Sequence, residues 1–194
     1  MKLLLIGDLA TTGFGTVTMD LGRALLARGI DCRFLSFNEL GELPEPFASR
    51  TAAMGEGWLS VADQEAAVQA SERISRLFTG GLFEDGWAPE SAVIIGDAGS
   101  LLGNPVLGLV PTGFPLWHYV PIEGIALPPA WLSIWSVAKP IAMCEFGADE
   151  IAKLTGERPP VVYHGVDTDV FHPVSPFRPI MANGKVLRSK AECR

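Results

Sequence analysis

Residues 2–37 read KLLLIGDLATTGFGTVTMDLGRALLARGIDCRFLSF, and this stretch decides the fold. Leu3 to Ile6 is a short apolar run closed by Gly7-Asp8, the pattern of a strand buried on both faces of a parallel sheet. Between Gly15 and Gly29 the apolar Val17, Leu21, Ala24, Leu25 and Ala27 fall close to helical spacing, and Gly29 stands where a helix C-cap belongs. Asp31 to Phe37 is a second strand. Strand, loop, helix and strand in that order form a βαβ unit, whose crossover is expected to be right-handed.

The same alternation continues outward. Residues 38–60 are loop-rich, with Pro44, Pro46, Gly55 and Gly57. Ser60 followed by Asp63 resembles a helix-opening cap, and a helix over Val61–Phe78 places Ala67, Ala70, Ile74, Leu77 and Phe78 on one face. Further strands are predicted at 92–96, at 114–120 (weakened by Pro115), at 139–144 and at 161–163. A helix from Glu145 to Thr155 is stopped by Gly156. These alternating elements predict an α/β fold built on a doubly wound, Rossmann-like parallel sheet. Ligands of such sheets bind beyond the carboxyl ends of the strands. The residues that matter should therefore follow Ile6, Phe37, Ile95, Tyr119, Met143 and Tyr163.

Composition narrows the function classes. The chain has 194 residues and a formal charge of −7, which argues against a nucleic-acid footprint. Basic residues do gather at the end, as Lys185, Arg188, Lys190 and Arg194, in the manner of a solvated face or the start of a helix. Cys32, Cys144 and Cys193 have no CxxC spacing, so neither a disulfide framework nor a zinc site is expected, and a cytoplasmic setting fits best. The apolar run near the start is too short for a signal peptide, and no stretch approaches the ~18 apolar residues of a membrane span. A soluble protein is expected.

The first loop, Gly7 to Thr18, carries a Gly13-x-Gly15 pair at the opening of a helix. Glycines there let a ligand approach the backbone, and a helix N-terminus offers unpaired N–H donors. A plain tight turn explains the same residues. The third glycine of the dinucleotide fingerprint is replaced by Thr18, and no Gly-Lys-Ser/Thr phosphate loop occurs. Asp97-Ala98-Gly99-Ser100 follows the 92–96 strand, and Pro121-Ile122-Glu123-Gly124 follows the next. His118 lies near the carboxyl end of its strand, as a packed core residue or as a catalyst. Glu123 lies past that end, where a carboxylate either accepts a sugar hydroxyl or is simply solvated. Asp167 and Asp169 lack the rest of a calcium loop, so no metal site is predicted. Cys144 reads as a buried, inert thiol.

The most specific segment is residues 139–173, KPIAMCEFGADEIAKLTGERPPVVYHGVDTDVFHP. It resembles the end of the N-terminal domain in family-4 glycosyltransferases of the GT-B fold. There a strand leads into a Ser-x-Phe-Gly-type helix, and a later strand ends in an Asn/His-Gly-Val-Asp-x-x-x-Phe-x-Pro turn. Here the helix begins Cys144-Glu145-Phe146-Gly147, with Cys in the place of Ser, and the turn is His164 to Pro173. On the residues themselves, Asp167 should bond a backbone N–H two residues on, Phe171 should anchor the chain, and Pro173 should end strand pairing. A rigid linker explains most of the turn.

The resemblance implies an N-terminal, acceptor-side domain over 1–173, followed at 174–194 by an interdomain linker and the start of a C-terminal nucleotide-sugar-binding domain. Val186–Arg194 would be the first helix of that domain. The implied activity is hexosyl transfer from a nucleotide sugar to a sugar or glycoconjugate acceptor, with retention of configuration and no cofactor or essential metal. The C-terminal domain would act in cis or in trans, and this chain alone would be inactive. Gly13, Phe14 and Gly15 would lie at the donor–acceptor junction, and Asp97 would also bind donor or acceptor; His118 and Glu123 would be the catalytic residues at the acceptor sugar, and His164 would lie at the cleft. Two other readings stay open. One is a non-catalytic sugar- or nucleotide-binding module. The other is a nicotinamide-dependent dehydrogenase domain, suggested by Gly13-x-Gly15 and by Glu39 after the second strand, and opposed by Thr18 and the long first loop.

Overall fold

A computed structural model describes residues 1–37, 42–53, 64–102, 105–169, 173, 179–182 and 185–189. The chain divides into two compact units, Met1–Tyr163 and His164–Arg194.

The larger unit is a parallel sheet with helices on both faces. In chain order it comprises β1 (Lys2–Gly7), α1 (Gly13–Ala27), β2 (Asp31–Ser36), β3 (Thr51–Ala53), α2 (Gln64–Phe78), β4 (Ser91–Ile95), α3 (Ala98–Leu101), α4 (Pro105–Leu109), β5 (Leu116–Val120), α5 (Leu132–Trp135), β6 (Lys139–Ala142) and α6 (Glu145–Thr155). The six strands pair in the order β3-β2-β1-β4-β5-β6, and every pairing is parallel. The chain thus winds outward from β1 to β3, returns to lay β4 beside β1, and winds the other way to β6. The expected Rossmann-like α/β fold is present.

Alternation along β1 explains the layers, because successive side chains leave a strand on opposite faces. Leu4 and Ile6 join Leu35, Ile94 and Val120 under Ile74 and Leu77 of α2 and Ile151 of α6. Leu3 and Leu5 join Cys32 and Phe34, with Phe14, Val17, Leu21 and Leu25 of α1 packed against them. Helix α1 lies so close to β2 that a Cβ on Gly22 would meet two ring carbons of Phe34 at 2.6 Å. Gly29, at φ +76°, follows α1 as expected, and its N–H donates to the Leu26 carbonyl at 2.9 Å. Burial pushes the Cys32 thiol up to about 12, which leaves it an inert core group.

Several expected boundaries shift, each for a physical reason. The loop-rich tract holds a short edge strand, β3, whose Thr51 pairs with Phe34. The strand expected at 114–120 starts only at Leu116, just past Pro115. The strand expected at 161–163 reduces to one bridge between Val161 and Ala142, because Pro159 and Pro160 supply no N–H to a ladder. The helix expected over Val61–Phe78 is described from Gln64, so Ser60, Val61 and Asp63 lie outside the described residues, as do the Ala67 and Ala70 side chains. Ile74 and Leu77 are buried as expected. Phe78 packs edge-on against Phe114, ring centroids 4.9 Å apart.

Helix α6 shows how one side chain substitutes for another. Cys144, read from sequence as buried, is only half-buried and is the N-cap, its Sγ accepting the Gly147 N–H at 3.4 Å. A hydroxyl is the better acceptor. Cys144→Ser should therefore raise stability by about 0.5–1 kcal/mol, seen as a higher melting temperature; a lower one would mean that thiol packing outweighs the cap.

In the smaller unit, β7 (Pro179–Ala182) pairs antiparallel with β8 (Lys185–Ser189). This corrects the helix expected over Val186–Arg194, of which residues 190–194 lie outside the described part. Asn183-Gly184 joins the two strands, and Asn-Gly between apolar runs is a strong hairpin signal. At the start of this unit the Asp169 N–H donates to Asp167 Oδ1 at 2.9 Å, as expected of that aspartate. Phe171 lies outside the described residues.

Candidate functional site

Parallel strands bring all their carboxyl ends to one edge of the sheet. The strand order reverses between β1 and β4, and that switch point is where open α/β sheets form a crevice. The opening of α1 after β1 and the loops that follow β4 and β5 hold most of the residues singled out from sequence.

The β1 loop is braced by a chain of polar contacts. Asp8 Oδ1 accepts the Ala10 N–H at 2.8 Å, and the Thr12 hydroxyl donates to Asp8 Oδ2 at 2.6 Å. Thr12 is the N-cap of α1, its Oγ1 accepting the Gly15 N–H at 3.0 Å. The helix therefore opens with Gly13 and Phe14, whose N–H groups donate to no acceptor among the described residues. The two glycines differ sharply. A Cβ on Gly15 would lie 1.9 Å from the Ala10 carbonyl oxygen, so the loop itself requires glycine there. Gly13 is exposed, and a Cβ added to it meets nothing within 4 Å. Phe14 is half-buried and packs into the α1 side of the core.

Beyond β4 the exposed Asp97 caps α3, its carboxylate accepting the Gly99 N–H. His118, on β5, is fully buried and does not reach the crevice. Trp135 Nε1 donates to its Nδ1 at 3.2 Å, which makes Nδ1 the acceptor. Nε2 then carries the proton and donates to the Gly96 carbonyl at 3.0 Å. Burial lowers this imidazole from 6.5 to about 4, so it is neutral near pH 7. The ring joins β5 to the Gly96-Asp97 corner and to α5. Its sequence signal was ambiguous because a histidine near a strand end looks alike whether its side chain faces a helix layer or the cleft.

The loop after β5 presents an exposed Glu123. Further along it Ala126 has φ 57°, a left-handed backbone uncommon for a residue with a side chain. The Ala126 N–H donates at 3.4 Å to Oε2 of Glu150, a nearly buried α6 carboxylate also paired with Lys153. Glu150 thus holds the loop that carries Glu123. Neither Glu150 nor Thr12 was singled out from sequence: a glutamate inside a helix gives no sign of facing a loop, and Thr12 has Gly15, not Glu or Gln, three residues on.

One electrostatic property unites these segments. Asp8, Asp97 and Glu123 follow three neighbouring strands, and residues 8–12, 96–102 and 121–128 contain neither Lys nor Arg. Gly13, Phe14, Gly15 and Asp97 flank the switch point, with Glu123 one strand further. His164 is exposed and belongs to the smaller unit. Glu39 lies outside the described residues. Among the described residues no group of three or more His, Cys, Asp or Glu side chains could hold a metal ion, and no helix is long and apolar enough to cross a membrane.

No protein-family model matches this chain, and a search of curated proteins returns no match either.

Proposed function

We propose that this chain is the acceptor-side part of a retaining, GT-B-type glycosyltransferase that uses a nucleotide-sugar donor. The observation that carries the reading is that the segments following β1, β4 and β5 present Asp8, Asp97 and Glu123 and contain neither Lys nor Arg over 8–12, 96–102 and 121–128. Carboxylates accept hydrogen bonds from sugar hydroxyls and repel phosphate. A polyol suits this edge, and the donor diphosphate needs cations from elsewhere, which a second α/β domain in cis or in trans would supply. Exposed Ile125, Phe146, Val162 and Tyr163 flank the ends of β5 and β6, a surface that suits such a partner. The resemblance of residues 139–173 to family-4 glycosyltransferases points the same way.

In this reading Glu123 and Asp97 orient the acceptor, and the Gly13 and Phe14 N–H groups face the donor junction. His118 acts only through the Gly96 corner, and His164 lies at the interdomain cleft. Rate enhancement comes from positioning and preorganised electrostatics. Calorimetry of the chain with methyl glycosides and nucleotide sugars tests this. Glycoside binding should be measurable and should exceed nucleotide binding. Glu123→Ala and Gly13→Val should each weaken glycoside binding about tenfold, the loss expected for one charged hydrogen bond or a blocked approach, without lowering the melting temperature. Unchanged glycoside affinity in both variants would remove the site assignment.

The strand order also favours a second reading, because dinucleotide-binding folds share it. Against it stands the Asp8 carboxylate in the loop where a pyrophosphate would rest. Tight NADH binding, followed by fluorescence, would replace the first reading with this one.

A further inference from the structure

A cavity of the Met1–Tyr163 unit lies at the other end of the sheet, at the amino ends of β5 and β6. It has a volume of about 690 Å³ and is lined by Trp117, Trp135, Lys139, Pro140, Arg158 and Pro160 among others. Helix α6 runs back along β6, so the residues after Thr155 close one side, and α5, just before β6, closes another. That volume is in the range that holds small-molecule ligands.

Its chemistry is distinct from that of the acidic edge. Trp117 and Lys139 are register partners on β5 and β6, and the Lys139 ammonium lies 5.5 Å from the centre of the Trp117 ring. Arg158, the other lining cation, is already ion-paired with Glu145 and Asp149. Lys139 forms no ion pair among the described residues, and Glu157 is the sole carboxylate of the lining. Trp135 spends its indole N–H on His118, so it offers the cavity apolar surface only. Lys139 and Pro140 on an edge strand also discourage edge-to-edge pairing, but that task needs neither indole.

The geometry points to a second binding site here, for a flat ring bearing one anionic group: the ring lies on indole and prolyl surface while the anion pairs with Lys139. The site is independent of the glycosyltransferase reading. The probe is 2-naphthoate, titrated into the full chain by calorimetry and by the indole N–H signals in NMR, with 2-naphthol as its neutral analogue. Binding should shift the Trp117 and Trp135 signals, and 2-naphthol and the Lys139→Gln variant should each show affinity lower by about tenfold or more. Lys139 is exposed on an edge strand, so this variant keeps the fold, and a Trp117→Leu variant adds a check on the ring platform. Absence of naphthoate binding at millimolar concentration, equal affinity for 2-naphthol, or unaltered binding by Lys139→Gln would each overturn the site.

Discussion

Gly15→Ala should destabilise the protein by about 3 kcal/mol, the sum of a lost helix cap and a backbone overlap. The added Cβ would stand 1.9 Å from the Ala10 carbonyl oxygen, 3.0 Å from its carbon and 3.2 Å from the Ala10 nitrogen. These are backbone atoms and have no rotamer to escape into. Relieving the overlap means moving residues 8–12 off α1, which breaks the Thr12–Gly15 cap and strains the Asp8 contacts to Ala10 and Thr12. Urea denaturation measures the loss, with Gly13→Ala as the control. That neighbour has open space, and alanine is the better helix former, so the control should be neutral or slightly stabilising. A Gly15→Ala protein within about 0.5 kcal/mol of the parent would show that the loop can give way. One consequence concerns function: loss of activity in a Gly15 variant reports on the loop, whereas a Gly13 variant reports on a ligand.

His118 should carry the second large effect and give the protein an acid-sensitive stability. Replacing it with phenylalanine leaves the Gly96 carbonyl and the Trp135 indole N–H without their present partner, at about 1–3 kcal/mol each. The pH dependence has a definite sign. The folded-state value of about 4 lies below the unfolded 6.5, so between those values the unfolded chain binds more protons. The contribution is fully present above pH 6.5 and is lost as the pH falls through 4. By pH 4.5 the loss amounts to about 2–3 kcal/mol. Unfolding free energies at pH 7.5 and 4.5, compared between the parent and His118→Gln, isolate it from the other titrating groups. The parent should lose about 2–3 kcal/mol more than the variant on acidification. Equal losses would mean that the imidazole charges without cost in the folded state.

Features that depend on neighbours in sequence were legible. The apolar run of β1, the spacing along α1 and the glycine caps at Gly29 and Gly156, both with positive φ, follow from periodicity and local backbone preference. So does the general location of the site, because parallel strands place every carboxyl end on one edge. The β7–β8 hairpin has its sequence signal in Asn183-Gly184, whereas the family resemblance implied a helix over Val186–Arg194.

Other features depend on partners far along the chain. Strand β3 exists because β2 offers it an edge, and its own three residues carry no strand period. Glu150 and His118 look ordinary in sequence. Packing decides that one holds the Ala126 backbone and the other joins β5 to Gly96. Gly13 and Gly15 stand two residues apart in one motif, and only the return of the loop onto α1 separates them. The sequence alone determined the βαβ plan and the edge on which to look, since both rest on local periodicity and chain direction. The tertiary structure decided which residues on that edge face outward and which are consumed in holding it, because burial and hydrogen bonding are settled by groups that meet only after folding.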